Sequence, residues 1–260
     1  MRPVFLCATL AAGAAFAQTA PTFEVASIRI SEPGKREGGE NPMKRDMRTG
    51  ISAQVSRDGV IIRNSSLRSI ICWAYKMFDY QVKGPDWLGA SRFDISAKAG
   101  REVTDEDLRL MLRTLLADRF KMVSHTENKE MSAYVLSIAK SGLKVKESTS
   151  GDGEFDIQPN QQKMSVTVKR AGIENLCDAL GNIFKAPIID QTGLKGKYDA
   201  TFDIMKYMAD MRPTEGGAPP DPLSIIIRGL QEELGLKLDP KKTQVDLLIV
   251  EKMEKSPAEN

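Results

Sequence analysis

The sequence predicts an α+β protein built from two tandem repeats of strand-helix-strand-strand-helix-strand-strand. Each repeat is expected to be a small mixed sheet with two helices on one face. Two observations carry this reading. First, apolar residues recur at helical spacing in four separated stretches, and short runs between them alternate as half-buried strands do. Second, the two halves align. Without gaps, Leu67 falls on Ile173, Ile70 on Leu176, Phe78 on Phe184, Val82 on Ile188 and Leu88 on Leu194. After one deletion, Phe93-Asp94 falls on Tyr198-Asp199. A shared element order together with shared stripe spacing is the signature of an internal repeat. The units predicted are residues 59–147 and 164–252, joined by a linker at 148–163, with 18–58 as an N-terminal strand and polar loop and 253–260 as a tail.

Taken in order, residues 23–30 alternate as a strand, and 31–58 read as a long polar loop. A strand at 59–62 leads to Asn64, Ser65 and Ser66, whose side chains suit a helix N-cap. The helix predicted over 67–78 carries Leu67, Ile70, Ile71, Ala74 and Phe78 on one face, leaving Cys72 off the stripe. Strands follow at 80–82 and 92–97, around a turn at Gly84-Pro85-Asp86. The next helix opens on Thr104 and three acidic residues, which suit the positive end of a helix dipole. Its stripe is Leu108, Met111, Leu112, Leu115 and Leu116. Residues 120–125 and 133–139 are expected to pair as a hairpin across a polar turn at 127–130. In the second half, a strand at 165–168 precedes a helix with Ile173, Leu176, Cys177, Leu180 and Phe184 on its apolar face. Strands at 187–189 and 197–204 come next, then a second polar loop at 206–221. A last helix through Leu223, Ile226, Ile227, Leu230 and Leu234 ends at Gly235, a C-cap residue. Two strands at 236–238 and 245–250 close the unit.

The first 17 residues match a signal peptide: Arg2, then an apolar stretch ending in the small-x-small pattern Ala15-Phe16-Ala17. That stretch is shorter than the roughly 20 apolar residues a membrane span needs. Export to the periplasm or the extracellular space is therefore expected, with no integral membrane segment after signal cleavage. Lys and Arg total 37 against 35 Asp and Glu, with no basic block, which argues against a nucleic-acid partner. Three cysteines and one histidine offer neither a disulfide scaffold nor a structural zinc site.

Candidate chemistry is sparse. His125 is the sole imidazole available as a general base, and such a base needs an orienting carboxylate and a nucleophile within reach. Ser141-Gly-Leu-Lys144 fits the Ser-x-x-Lys pattern of penicillin-recognising enzymes. It follows a strand rather than opening a helix, and the companion motifs are missing. Asp94 and Asp199 hold equivalent places in the repeats and are expected to pin their own strands or turns. No catalytic, cofactor-binding or metal-ligating residues are assigned. Trp73, Tyr75 and Trp87, in an aromatic cluster with Tyr80, are the candidate partner contacts, with packing between the units as the other reading.

Several stretches carry a family resemblance: Phe23-Glu-Val-Ala-Ser-Ile, Gly84-Pro-Asp-Trp-Leu, Arg92-Phe-Asp-Ile, Leu110-Met-Leu-Arg-Thr-Leu-Leu-Ala-Asp-Arg-Phe120, His125-Thr-Glu, Tyr134-Val-Leu, Asp190-Gln-Thr-Gly-Leu-Lys-Gly-Lys-Tyr-Asp199 and Leu234-Gly-Leu-Lys-Leu238. In order and spacing over residues 22–260, they resemble the soil-associated family of uncharacterised secreted proteins abundant in Acidobacteria. Some of its members resemble fusions of this module to a membrane metallopeptidase of the antibiotic-sensor type, which implies a sensor-like position. Each half also resembles, more weakly, the short N-terminal docking domain of secretins and TonB-dependent receptors. The function expected is a non-catalytic binding or docking module for a protein or envelope polymer, without cofactor. The alternative is a hydrolase-type envelope enzyme with an unrecognised site.

Overall fold

The computed structural model describes residues 20–31, 46, 48–149, 156–160, 165–203, 206–207 and 222–258. The predicted signal peptide lies outside them, as does most of the 206–221 loop. The chain is α+β, with four α-helices among the described residues and three small sheets, antiparallel or mixed.

Local sequence explains where the helices begin and end. Ser66 accepts the Ser69 N–H at 3.1 Å and starts α1 (Leu67–Tyr75). The helix stops three residues short of the predicted end. Lys76 turns left-handed at φ 54° and returns its N–H to the Cys72 and Trp73 carbonyls. Phe78 thus leaves the helix, stacks on Tyr80 at 5.3 Å and lies against Gly181. Thr104 and Asp107 exchange side-chain and backbone bonds as a capping box for α2 (Asp105–Phe120). All five residues of its predicted stripe are buried. In the second half lie α3 (Ile173–Phe184) and α4 (Pro222–Gly229), which runs into a π-helical turn (Leu230–Leu234). Gly235 ends that turn at φ 69°, where a side chain would also collide with the Gly142 carbonyl.

Two outer sheets are wired alike. The first is ordered β1-β5-β3-β2, from β1 (Val25–Ile30), β2 (Ser52–Ser56), β3 (Gly59–Ser66) and β5 (Arg92–Lys98). The second is ordered β7-β11-β9-β8, from β7 (Lys146–Glu147), β8 (Asp156–Asn160), β9 (Ser165–Ala171) and β11 (Tyr198–Asp203). All pairs are antiparallel. Register slips by one residue between Ile62 and Ser65 in the first, and between Val168 and Ala171 in the second. Residues Asn64 and Arg170 in these bulges both take positive φ, 44° and 54°. β2 falls inside the stretch read as a loop at 31–58, where Ile51 is fully buried, and β8 falls inside the stretch read as a linker.

The central sheet overturns the two predicted strand pairs. Residues 123–138 are not a hairpin but one strand, β6 (Val123–Ile138). Residues 236–252 are likewise one strand, β12 (Leu236–Lys252). The two run antiparallel along their whole length, from Leu236 opposite Ile138 to Lys252 opposite Val123. At one end, β12 adds in parallel to β4 (Val82–Lys83); at the other, β6 adds in parallel to β10 (Ile188–Asp190). The polar residues read as turns lie mid-ribbon, where Asn128, Lys129 and Glu130 are solvent-exposed. β6 itself carries polar residues there while its partner strand supplies buried Val245 and Leu247, so the strand pattern of β6 fades without the strand ending. Pro240, opposite Tyr134, is tolerated because β12 has a neighbour on only one side at that point.

Each long strand therefore crosses between two cores. One core packs α1, α2 and the first outer sheet with Leu248 and Val250 from the far end of β12 and Met253 just beyond it. The other packs α3, α4 and β10 with Leu136 from the far end of β6 and with Leu236 and Leu238. The cores also meet at a bidentate ion pair, Arg48 to Asp178 at 2.7 and 3.3 Å, with Arg48 above the Phe78 ring. Cys72, predicted to lie off its helix stripe, is fully buried because α1 is enclosed on more than one side. Cys72 and Cys177 are both free, and burial pushes each thiol up to about 12. Ile227, on the predicted apolar stripe of the last helix, is only partly buried.

Candidate functional site

The aromatic cluster is largely internal. Trp73 is 3 % exposed, so it offers a partner no surface. The Arg109 guanidinium covers its ring at 4.2 Å, and Arg109 also bonds the Trp73 carbonyl. Arg113 does the same one residue on, donating to the Ala74 carbonyl at 2.8 Å and lying 4.6 Å from the centre of the Tyr75 ring. Two arginines of α2 thus cap the C-terminal carbonyls of α1, which carries no basic residue in its own last turn. Tyr75 and Trp87 remain partly exposed, Trp87 beneath Lys255 at 5.7 Å.

Asp94 and Asp199 are far apart in role from an acid–base pair. Asp94 accepts the Asn64 N–H at 2.7 Å and the Ser31 hydroxyl at 2.6 Å. Asp199 accepts the Arg170 N–H at 2.8 Å, and that bond holds its carboxyl below the usual range. Each aspartate clamps the positive-φ residue of its own bulge. Ser141 sits exposed in a turn, while the Lys144 ammonium caps the Glu232 carbonyl at 2.8 Å and its N–H bonds the Leu234 carbonyl at 3.0 Å.

His125 lies near the start of β6. Its two ring nitrogens meet Glu251 at 2.5 Å and Glu127 at 3.1 Å. Imidazolium donates from both nitrogens, so both contacts favour the charged form, with Glu127 the larger influence and Glu251 next; they raise the pKa above its ordinary value. A raised folded-state pKa contributes stability below the unfolded value and loses it as pH rises through the folded one. The expected result is an NMR titration of the His125 ring with its midpoint above about 6.5. It should fall on Glu127→Gln or Glu251→Gln; a midpoint below 6.5 would contradict the paired geometry.

A concave site lies elsewhere, between the start of the chain's first strand and α2. Its cavity is about 320 Å3. Residues 22–26 form one wall; Met111, Thr114, Leu115, Asp118 and Arg119 form the other. Helical spacing places Met111, Thr114, Leu115 and Asp118 on one face of α2. Among the described residues β1 is an edge strand, hydrogen-bonded only to β5. No local motif marks this site, because it arises from tertiary contact between segments some 90 residues apart in the chain. Among the described residues, no three His, Cys, Asp or Glu side chains converge as a metal site, and no helix is long and apolar enough to cross a membrane.

A protein-family profile described as "Protein of unknown function (DUF3738)" matches residues 68–253. The chain belongs to that family. The match takes in the second core, most of the first, the long ribbon and the α2 wall of the groove of this DUF3738 chain, while β1, β2 and β3 lie outside it. No curated protein and no solved structure matches the chain.

Proposed function

We propose that this DUF3738 chain is an exported, non-catalytic binding or docking module for a protein or envelope polymer, acting in the periplasm or outside the cell. It is built from two copies of one α+β unit that have exchanged their last strands. The observation that carries the binding role is the groove in which a sheet edge, unpaired among the described residues, runs beside a helix, a geometry that recurs in peptide recognition. Duplication is supported by the matching sheet orders, the matching bulges and their aspartate clamps. Export is supported by the signal-peptide pattern of the first 17 residues. The reading agrees with the resemblance to the soil-associated secreted family and to the docking domains of secretins and TonB-dependent receptors. The test is a photo-crosslinking residue at Thr114 in cells, with the same residue at exposed Lys242 on the ribbon as control. Capture of a defined envelope component from Thr114 alone is expected. Turnover of a peptide, ester or glycoside by the purified chain, lost in His125→Ala with folding unchanged, would contradict it.

A further inference from the structure

We infer that the two units of this chain move against one another about the middle of the ribbon, and that the Arg48–Asp178 pair is the latch that holds them closed. The inference does not depend on what the chain binds.

The cores define the moving bodies. Among the described residues they share no side chain: the buried residues of the first come from 51–122 and 248–253, those of the second from 136–238. The chain passes between them twice, each time along the ribbon, once on β6 and once on β12. Two bodies joined without a large shared apolar surface are free to shift relative to one another.

The ribbon supplies the hinge. β4 pairs with β12 at Leu248 and Ile249, and β10 pairs with β6 from Tyr134, which lies opposite Pro240. Gln81 of the first unit still reaches the Asp246 carbonyl at 3.0 Å. That leaves Lys129 to Ala133, opposite Val245 to Lys241, as a stretch two strands wide among the described residues. A two-stranded ribbon has no third strand to resist a change of twist. Within it Lys129, Glu130, Ser132, Lys241, Lys242 and Gln244 are exposed, and burial returns at its ends with Ala133 and Val245.

The junction supplies the latch. Asp46 accepts the Arg48 and Thr49 N–H groups at 2.9 Å each, closing a turn anchored by fully buried Ile51 of the first core. From that turn Arg48 reaches α3 of the second unit, where Nη2 donates to Asp178 Oδ1 at 2.7 Å and Nε to Oδ2 at 3.3 Å. Its guanidinium lies 5.0 Å from the centre of the Phe78 ring. Gly181 is three residues on along the same face of α3, and a Cβ there would stand 3.3 Å from that ring. Phe78 and its stacking partner Tyr80 belong to neither core. The paired side chains of Arg48 and Asp178 are 37 % and 25 % exposed, so solvent reaches the pair. An ion pair of this kind biases a two-state equilibrium by roughly fivefold. That is enough to favour the closed arrangement and little enough for a partner touching both units to shift it.

The experiment uses residues 18–260 at low salt and compares the wild type with Asp178→Asn and Gly181→Leu. Residual dipolar couplings are measured for amides of the first unit, in α2, β3 and β5, and of the second, in α3, β9 and β11. One alignment tensor is expected to fit both units of the wild type. Asp178→Asn keeps the shape of the side chain and removes its charge; it should lower the closed-to-open ratio about fivefold, so that the units need separate tensors. Gly181→Leu improves helix propensity and wedges a side chain against Phe78, and it should separate the tensors with the ion-pair partners still present. Unchanged amide shifts at Leu112 and Leu236 would show that both cores are kept. A common tensor in both variants would overturn the hinge. Separate tensors already in the wild type, or in Gly181→Leu but not in Asp178→Asn, would overturn the latch.

Discussion

Truncation after Gln244 is expected to unfold the N-terminal core, although it removes only residues from the C-terminal end of the chain. The deleted segment contains Leu248, Val250 and Met253, which pack with Leu67, Phe93 and Leu112 rather than with α3 and α4. Burial of each such side chain contributes about 1.5–3 kcal/mol. The three together rival the ~5–15 kcal/mol net stability of an ordinary domain. β4 also loses the strand with which it pairs. Both tryptophans, Trp73 and Trp87, belong to or pack against this same core, so intrinsic fluorescence reports on it. Truncation should shift tryptophan emission to the red and broaden near-ultraviolet circular dichroism. Unchanged emission would mean that residues 59–147 close a core without help from β12.

Leu112→Ala is expected to cost about 2–5 kcal/mol, through lost transfer energy plus the cavity left in a core that cannot collapse freely. Leu112 is fully buried mid-way along α2, among the other leucines of its stripe. Urea unfolding followed by tryptophan fluorescence should show a lower midpoint with an unchanged slope. Ile227→Ala on α4 should cost less, because Ile227 is only partly buried. A loss under about 1 kcal/mol for Leu112→Ala would contradict a tightly packed first core.

Much of the fold was legible because burial was concentrated where patterns are strong. The stripes of α1, α2 and α3 and the caps at Ser66, Thr104 and Gly235 follow from local chemistry that tertiary structure had no reason to override. The long strands were misread for a physical reason. Glu127 to Glu130 and the Asp239-Pro240-Lys241-Lys242 stretch carry turn-like composition, yet lie within a ribbon whose strand pairing persists across both polar stretches. The repeat alignment found equivalent elements but not which copy supplies each partner: β4 takes its neighbour from the end of β12, and β10 from the end of β6.

The groove was legible only in pieces. Residues 23–30 read as a half-buried strand and Met111 and Leu115 as core, both consistent with the structure. Their juxtaposition across the chain has no sequence signal. Trp73 looked like a contact residue because aromatics mark interfaces, but Arg109 and the helix layer enclose it. Asp94 and Asp199 were expected to pin their own strands or turns, and each bonds the backbone of its own bulge; that clamp depends on the positive φ of Asn64 and Arg170, which neither residue type announces.

The crossing of the two long strands is tested most directly by interstrand NMR contacts in the middle of the ribbon, where the two alternatives differ completely. Asn128 lies opposite Asp246 and its side-chain amide bonds the Asp246 carboxylate at 2.7 Å. Nuclear Overhauser effects should therefore link the backbones of Asn128 and Asp246, and of Glu130 and Gln244. Contacts between Thr126 and Met131 in their place would mark a local hairpin at residues 127–130, and would contradict the exchange of strands between the two cores.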